Sequence, residues 1–227
     1  FINNMTHELK TPIASISLAA QMMNDESVTK SPAMTKHLGQ VIFDESKRLR
    51  FLVEKVLQMS LFERQKATLK LKELDANDLV ISVANTFALK VEKYGGTLDV
   101  DLEAIDSAIY VDEMHITNVL FNLLDNAVKY RRQDAPLSLM VRTKNENGKL
   151  LISVEDNGVG IKKEYLKKVF DRFFRVPTGN KHDVKGFGLG LAYVRKIIED
   201  HKGSIRAEQN TNGIGTKFII TLPLIKS

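Results

Sequence analysis

The spacing of apolar residues changes once along this chain of 227 residues, from a helical to an alternating period. Up to residue 64 the apolar side chains recur every three or four positions, which marks one face of a helix. After residue 67, short alternating runs typical of strands are interleaved with helical stretches. This change predicts two domains, with the bounds 1–66 and 67–227.

The first part of the chain has the pattern of two helices joined by a turn. Each helix has a single apolar stripe, and the polar stretch 24–33 between them contains Pro32, a residue typical of turns. The stripes consist of Ile2, Met5, Leu9, Ile13, Ile16, Ala20 and Met23, and of Met34, Leu38, Val41, Leu49, Leu52, Val56 and Met59. We expect an antiparallel helical hairpin that forms a four-helix bundle from two copies, because one hairpin buries little. The alternative is a two-helix arm packed on its own C-terminal domain.

The second part of the chain is predicted to be a mixed α+β domain. Strands are predicted at 68–74, 98–103, 137–144, 149–156, 203–209 and 216–222, and helices at 76–93, 112–130 and 188–201. The turn Glu146-Asn147-Gly148 is typical of a β-hairpin.

Composition excludes several classes of function. The 33 basic and 28 acidic residues give a net charge of +5 without a basic cluster, so nucleic-acid binding is not expected. The absence of cysteine excludes disulfides, thiolate metal sites and cysteine nucleophiles. No run of about 18 apolar residues occurs, so no membrane contact is expected of this fragment itself. Because the sequence opens with Phe1 and at once follows a helical pattern, we expect a piece of a longer protein.

One histidine near the start of the first helix has neighbours that could make its imidazole reactive. His7 lies off the apolar stripe and is expected to face solvent. One nitrogen of a neutral imidazole can attack an electrophile, and a carboxylate such as that of Glu8 strengthens it by accepting the other ring N–H. Thr11 shares the face of His7, and Pro12 removes the helical partner of the Glu8 carbonyl, so the helix should bend there. An ordinary surface histidine is the alternative. That interpretation is kept for the other histidines, His37, His115, His182 and His201.

Four further segments have the residue types of a nucleotide pocket, beginning with the predicted helix at 118–130. Asn122, Asn126 and Lys129 share one of its faces, where amide oxygens suit Mg²⁺ and the lysine suits phosphate. The polar face of an amphipathic helix is the alternative, although asparagine is a weak helix former.

The other three segments follow in order. Asp156 begins DNGVGI directly after a strand, where a buried carboxylate can accept a hydrogen bond from an exocyclic amine and glycines let a ligand approach the backbone. FDRFFR at 170–175 precedes a polar stretch from Pro177 to Lys185, which we expect to be a mobile lid carrying a cation. GFGLGL at 186–191 opens a helix and directs backbone N–H groups toward phosphate.

Taken in this order, the segments resemble the motif set of the sensor histidine kinases of two-component systems. The resemblance covers essentially the whole chain. HELKTP at 7–12 resembles the H box, 118–130 the N box, DNGVGI at 156–161 the G1 box, FDRFFR at 170–175 the F box, GFGLGL at 186–191 the G2 box, and 213–216 the last glycine motif. It implies a hairpin for dimerisation and histidine phosphotransfer at 1–66, and a Bergerat-type α/β sandwich that binds ATP at 67–227.

The family also implies residue roles by position. His7 matches the phosphoacceptor, Glu8 its acid–base partner, and Thr11 the residue that positions water when such kinases dephosphorylate their partner. Asn126 matches the Mg²⁺ ligand. The residues implied to contact ATP are Asn122, Asn126, Lys129, Tyr130, Asp156, Gly158, Gly160, Arg175, Lys185, Gly186, Gly188, Leu189, Gly190 and Thr216. Phe187 departs from the pattern, because a small polar residue is expected there.

The resemblance implies a kinase that phosphorylates His7 from Mg-ATP and passes the phosphoryl group to an aspartate of a response-regulator receiver domain, with phosphatase activity on that regulator. It further implies a homodimer through the hairpin and the cytoplasmic part of an inner-membrane-anchored bacterial sensor. The alternatives are a non-catalytic nucleotide-binding scaffold, a net phosphatase, and a stand-alone ATPase of the gyrase and chaperone type. Those ATPases have a glutamate at the place of Asn122, and asparagine cannot act as a base.

Overall fold

The chain divides into two compact units, Phe1–Thr68 and Leu69–Ser227. The computed structural model describes residues 2–25, 28, 31–64, 69–177, 188–210 and 213–225, and for 2–8, 51 and 54–64 it describes the backbone alone. The predicted boundary between residues 66 and 67 falls within 65–68 and lies outside the described residues.

The first unit is a hairpin of two packed helices, α1 (Ile2–Met22) and α2 (Pro32–Arg64). α1 continues through Pro12, where we expected a bend, as one unbroken helical segment. α2 begins at Pro32, because proline lacks only an N–H that has no helical partner in the first turn. The Ser31 hydroxyl accepts a hydrogen bond from the N–H of Met34 at 3.5 Å.

Pairing of the two helices buries little apolar surface. Ala19 and Leu38 are buried, but Ile13, Leu18 and Phe43 remain 49%, 59% and 63% exposed. Part of the apolar surface of the hairpin is therefore left uncovered by the residues that the structure describes.

Among its described residues the second unit has two sheets, three α-helices and two short 3₁₀ helices, Lys163–Tyr165 and Lys168–Phe170. In chain order the strands and α-helices are β1 (Lys72–Asp75), α3 (Ala76–Glu92), β2 (Thr97–Leu102), β3 (Ala108–Val111), α4 (Glu113–Lys129), β4 (Ser138–Glu146), β5 (Lys149–Asp156), α5 (Gly190–Asp200), β6 (Ser204–Gln209) and β7 (Thr216–Pro223). The main sheet has the order β2-β4-β5-β7-β6, with β2 and β4 parallel and the other neighbours antiparallel. β1 and β3 form a separate antiparallel pair.

The core lies between the main sheet and the helices α3, α4 and α5. Side chains alternate between the faces of a strand, so Leu150, Ile152 and Val154 of β5 share the buried face with Ile220 of β7. Asp156 has the same parity and ends β5. The alternation therefore places the carboxylate of Asp156 at the edge of the apolar core.

These elements confirm the α+β class with an N-terminal helical hairpin. The strand predicted at 68–74 begins later, at Lys72, and it ends at Asp75, which caps α3 by accepting hydrogen bonds from the N–H groups of Asn77 and Asp78. β3 was not predicted. No helix in the described part of the chain is long and apolar enough to cross a membrane.

Candidate functional site

α4 presents a row of amides beside its buried face. Ile116, Leu120 and Leu124 are at most 1% exposed, whereas Asn122 and Asn126 are partly exposed. Asn122 Nδ2 donates to the carbonyl of Asn118 at 2.7 Å. The predicted shared face of the two asparagines thus agrees with the burial pattern of the helix.

The start of α5 lies next to this row. A Cβ added at Gly190 would be 3.3 Å from Asn122 Oδ1, so a glycine brings the backbone of α5 close to that side chain. Leu189 caps the helix without a side-chain hydrogen bond to it, within the described residues. A helix N-terminus of this kind offers backbone N–H groups and a partial positive charge to an anion.

Asp156 is a buried acid whose pKa is raised. Its side chain is 8% exposed, and Oδ1 accepts hydrogen bonds from the N–H groups of Gly158 at 2.8 Å and Thr216 at 3.2 Å. Burial raises the pKa of the carboxyl to about 6, although these two hydrogen bonds oppose the shift. The fold therefore holds a carboxyl group that lacks the solvation it would have in water.

Glycines permit two close approaches around this carboxylate. A Cβ at Gly158 would lie 2.6 Å from the Tyr130 carbonyl oxygen, and one at Gly215 would lie 1.8 Å from the Asp156 carbonyl oxygen. Gly215 also has φ +86°, which disfavours any L side chain. Gly160 packs on Gly215, with 3.2 Å from its ideal Cβ position to the carbonyl oxygen of that residue. The structure thus brings Tyr130, Asp156, Gly158, Gly160 and Thr216 together, and their predicted roles toward a nucleotide stay predictions.

Cations lie close to Tyr130, at the end of α4. Lys129 Nζ is 5.4 Å from the centre of the Tyr130 ring, which is partly exposed. Burial raises the pKa of the Tyr130 hydroxyl, and the charge of Arg175 opposes that shift, which locates Arg175 within electrostatic range. The predicted cations at 129 and 175 therefore share one neighbourhood.

The ends of the predicted lid are held together. The Phe173 N–H donates to the Gly188 carbonyl at 2.9 Å, and a Cβ at Gly188 would lie 2.6 Å from the Phe174 carbonyl oxygen. The lid itself, with Lys185 and Gly186, lies outside the described residues.

The predicted acceptor group belongs to the first unit. His7 and Glu8 lie in the helical backbone of α1, but their side chains lie outside the described residues. Thr11 is exposed on the same helix. The roles predicted for these three residues stay predictions.

The donor set around α4 suits a hard cation held partly by a ligand. Amide oxygens are acceptable Mg²⁺ ligands, and Mg²⁺ usually keeps waters and substrate phosphates in its shell. The described residues contain no group of three or more His, Cys, Asp or Glu side chains placed to hold a metal. The residues present thus fit Mg²⁺ brought in with a nucleotide, not an ion caged by protein carboxylates.

Two histidines that we interpreted as ordinary surface residues have specific partners instead. That interpretation is wrong for His201, which is 4% exposed and accepts a hydrogen bond at Nε2 from the Asp112 N–H at 2.9 Å. His115 is half-buried, and its Nδ1 lies 3.1 Å from Tyr193 Oη. The signal was missed because each partner is far away in the sequence.

Comparison with known proteins finds one family match in each of the two units. Residues 1–65 match the His Kinase A (phospho-acceptor) domain, and residues 111–226 match the family described as histidine kinase-, DNA gyrase B-, and HSP90-like ATPase.

Similar proteins are named as sensor proteins or sensor protein kinases. The chain is 69% identical to Sensor protein RprX of Bacteroides fragilis strain YCH46, over 100% of this chain and 44% of that protein. It is 30% identical to Sensor protein kinase WalK of Staphylococcus aureus, over 98% of this chain and 53% of that protein. The chain thus spans about half the length of these curated relatives.

A solved structure of histidine kinase ThkA in complex with response regulator protein TrrA has 25% sequence identity and a TM-score of 0.74, over 97% of this chain and 60% of that one. The two matched domains, their order and the motifs that the fold brings together show that the chain belongs to the family of sensor histidine kinases.

Proposed function

We propose that this chain is a protein-histidine kinase, which binds Mg-ATP in its second unit and transfers the γ-phosphoryl group to His7. The observation that carries this proposal is the buried carboxylate of Asp156, surrounded by glycines, in the same unit as an uncapped helix start beside Asn122. The first feature suits the adenine of ATP, and the second suits its phosphates.

Adenine recognition is assigned to Asp156. The two backbone N–H groups that bond its carboxylate both use Oδ1, so the second oxygen can accept a hydrogen bond from the exocyclic amine of adenine. Guanine has a carbonyl oxygen at the corresponding position and would face the carboxylate with a second acceptor. The backbone carbonyl of Tyr130 lies in the same region, where it accepts a hydrogen bond from the Val159 N–H at 3.0 Å. We therefore expect ATP to bind in preference to GTP.

Phosphate binding is assigned to the start of α5 and to the cations near Tyr130. Backbone N–H groups at Gly190 and the charges of Lys129 and Arg175 would neutralise the triphosphate. Asn126, with Asn122 beside it, would contribute an amide oxygen to Mg²⁺. The ion would neutralise charge on the phosphate oxygens, which is the main catalytic need in phosphoryl transfer.

The predicted chemistry has two steps. An imidazole nitrogen of His7 forms a bond to the γ-phosphorus while the bond from that phosphorus to the bridging oxygen breaks and ADP leaves. Glu8 accepts the N–H of the other ring nitrogen and so stabilises the charge that develops on the ring. In the second step the N–P bond breaks as a carboxylate oxygen of a receiver-domain aspartate bonds the phosphorus.

Hydrolysis of ATP without a phosphoacceptor is the competing function, since gyrase B and HSP90-like ATPases share the matched family. An ATPase of that kind needs a base to activate water. Asn122 cannot act as a base, and its Nδ2 donates to the Asn118 carbonyl. Transfer to histidine is therefore better supported than hydrolysis.

Incubation with γ-labelled ATP and Mg²⁺ tests the proposal. The wild type should gain label that is labile in acid and stable in base, and His7→Gln should gain none. His37→Gln changes an exposed histidine on α2 and is the matched control, which should label like the wild type. Labelling of His7→Gln, or none in a wild type that binds ATP, would overturn the kinase assignment.

The proposed partners are a second copy of the chain and a response-regulator receiver domain. The uncovered side chains of Ile13, Leu18 and Phe43 support a four-helix bundle, since a single hairpin leaves them in water. ThkA, a structural relative, was solved with its response regulator TrrA, which supports the second partner. Light scattering should give the mass of a dimer, and a monomer at micromolar concentration would refute the bundle.

Two further properties are proposed on the family pattern. Thr11 is exposed on α1, four residues after His7, where it could position water for phosphatase activity on the regulator. On the family pattern we also propose that this chain, which spans about half the length of its sensor relatives, is the cytoplasmic part of an inner-membrane-anchored sensor. Membrane fractionation of the full-length protein tests that placement.

A further inference from the structure

α4 and α5 are joined by hydrogen bonds at two places. At one, the Asp112 N–H donates to His201 Nε2 at 2.9 Å, and His201 Nδ1 lies 2.7 Å from the Ile197 carbonyl. At the other, Tyr193 Oη lies 3.1 Å from His115 Nδ1, and the two rings are tilted with their centres 6.5 Å apart. Packing alone would let two helices slide, whereas two separate polar contacts fix one against the other.

The second contact continues into the amide row of α4. The Asn118 side chain also bonds the Tyr193 hydroxyl, and the Asn118 carbonyl accepts a hydrogen bond from Asn122 Nδ2 at 2.7 Å. Asn122 Oδ1 in turn lies against Gly190, three residues before Tyr193 on α5. Tyr193 therefore occupies the point where the helix start and the amide row meet.

We propose that Tyr193 is a positioning residue, which through His115 and Asn118 holds the start of α5 at the correct distance from Asn122 and so shapes the phosphate side of the nucleotide site. The proposal rests on the proposed function, because it assigns phosphate binding to that helix start. Tyr193 itself is not expected to contact the nucleotide.

The state of the hydroxyl group is consistent with this role. Burial raises the pKa of Tyr193 to about 12, and the hydrogen bond from Asn118 opposes the rise. The phenol therefore keeps its proton at physiological pH and can donate one hydrogen bond while it accepts another.

The test removes the hydroxyl and keeps the ring. Tyr193→Phe, His115→Phe and the double variant are compared with the wild type and with Tyr110→Phe, a control on β3 whose tyrosine is 57% exposed. Calorimetric titration gives the affinities for Mg-AMPPNP and Mg-ADP, and circular dichroism gives Tm. These two nucleotides share the adenine end and differ in the terminal phosphate.

We expect Tyr193→Phe to weaken Mg-AMPPNP binding by about threefold to tenfold, because its hydroxyl bonds both His115 and Asn118, and Mg-ADP binding by less. The double variant should bind no more weakly than Tyr193→Phe, because removal of the hydroxyl already removes the contact with His115. Tyr110→Phe should match the wild type.

Three results would overturn the inference: a Tyr193→Phe affinity within twofold of the wild type, an equal loss for both nucleotides together with a lower Tm, or additive effects in the double variant. If Tyr193→Phe does not fold, His115→Phe decides by the same criteria. A wild type that binds neither nucleotide would overturn the proposed function, and the inference with it.

Discussion

Replacement of Asp156 by asparagine should make the nucleotide-free protein more stable and weaken its affinity for ATP. The carboxyl group is 8% exposed, and burial raises its pKa from 3.8 to about 6. Above pH 6 the Asp156 carboxyl group is therefore ionised in a buried position, where it is poorly solvated. The Oδ1 of an asparagine can accept the same hydrogen bonds from Gly158 and Thr216 without that charge.

The magnitude follows from the two pKa values. The rise from 3.8 to about 6 costs about 3 kcal/mol, at about 1.4 kcal/mol per pKa unit. The Asp156 carboxyl holds its proton more tightly in the folded protein than in the unfolded chain. Its contribution to the free energy of unfolding therefore falls as the pH rises from 3.8 to about 6, and is constant above that range. Asp156→Asn should thus add about 1–3 kcal/mol to the free energy of unfolding at pH 7.5 and about 0.5 kcal/mol at pH 4.

The same substitution should weaken nucleotide binding. The asparagine would present an N–H₂ group to the adenine amine, so that two donors meet, and we expect a loss of at least about tenfold in affinity. In the wild type, affinity should also fall as the pH drops through about 6, because the protonated carboxyl no longer offers the same acceptor.

Urea unfolding at pH 7.5 and pH 4, with titration of Mg-AMPPNP between pH 5 and pH 8, measures both effects. Asp99→Asn changes an exposed carboxylate on β2 and should alter neither. A variant at position 156 that is less stable than the wild type at pH 7.5 would refute the electrostatic reasoning. A variant that binds with wild-type affinity would refute the assignment of adenine recognition.

Three further outcomes are expected. Gly215→Ala should lower the free energy of unfolding by about 2–4 kcal/mol, because its Cβ would lie 1.8 Å from the Asp156 carbonyl oxygen, whereas Gly213→Ala, with φ +69° and open space, should cost about 1 kcal/mol in the same urea assay. Asn126→Ala should remove the Mg²⁺ dependence of nucleotide affinity, since the carboxamide oxygen is the proposed ligand, and titration with and without Mg²⁺ would contradict this if the dependence persists. Thr11→Ala should spare autophosphorylation and slow dephosphorylation of the regulator, measured by phosphate release, and an equal loss of both would indicate a structural role.

The sequence predicted most elements of the fold because their signals are local. Apolar periodicity located the helices, alternation located β1 and β2, and the turn at 146–148 located β4 and β5. β3 was missed because its four residues, Ala108–Val111, form a strand only by pairing with β1. That pairing joins residues more than thirty positions apart, and no local pattern reports it.

The candidate site shows the same division between local and distant signals. Asp156 and its glycines were predicted because the motif directly follows a strand. His201 was not, because its partner at Asp112 lies 89 residues away, and Tyr193 lies 78 residues from His115. A contact of this kind becomes visible only when two helices are packed.

The parallel pairing of β2 with β4 links α4 to the edge of the main sheet. A parallel pair needs a crossover, and the connection from β2 to β4 runs through β3 and α4. β2 is held by its pairing with β4 and by packing against α3, which itself packs against α4. Partial unfolding of α4 would therefore loosen the support of β2, so the backbone amides of β2 and α4 should open in one cooperative event. Nucleotide binding should then slow hydrogen exchange in the edge strand β2 as well as in α4.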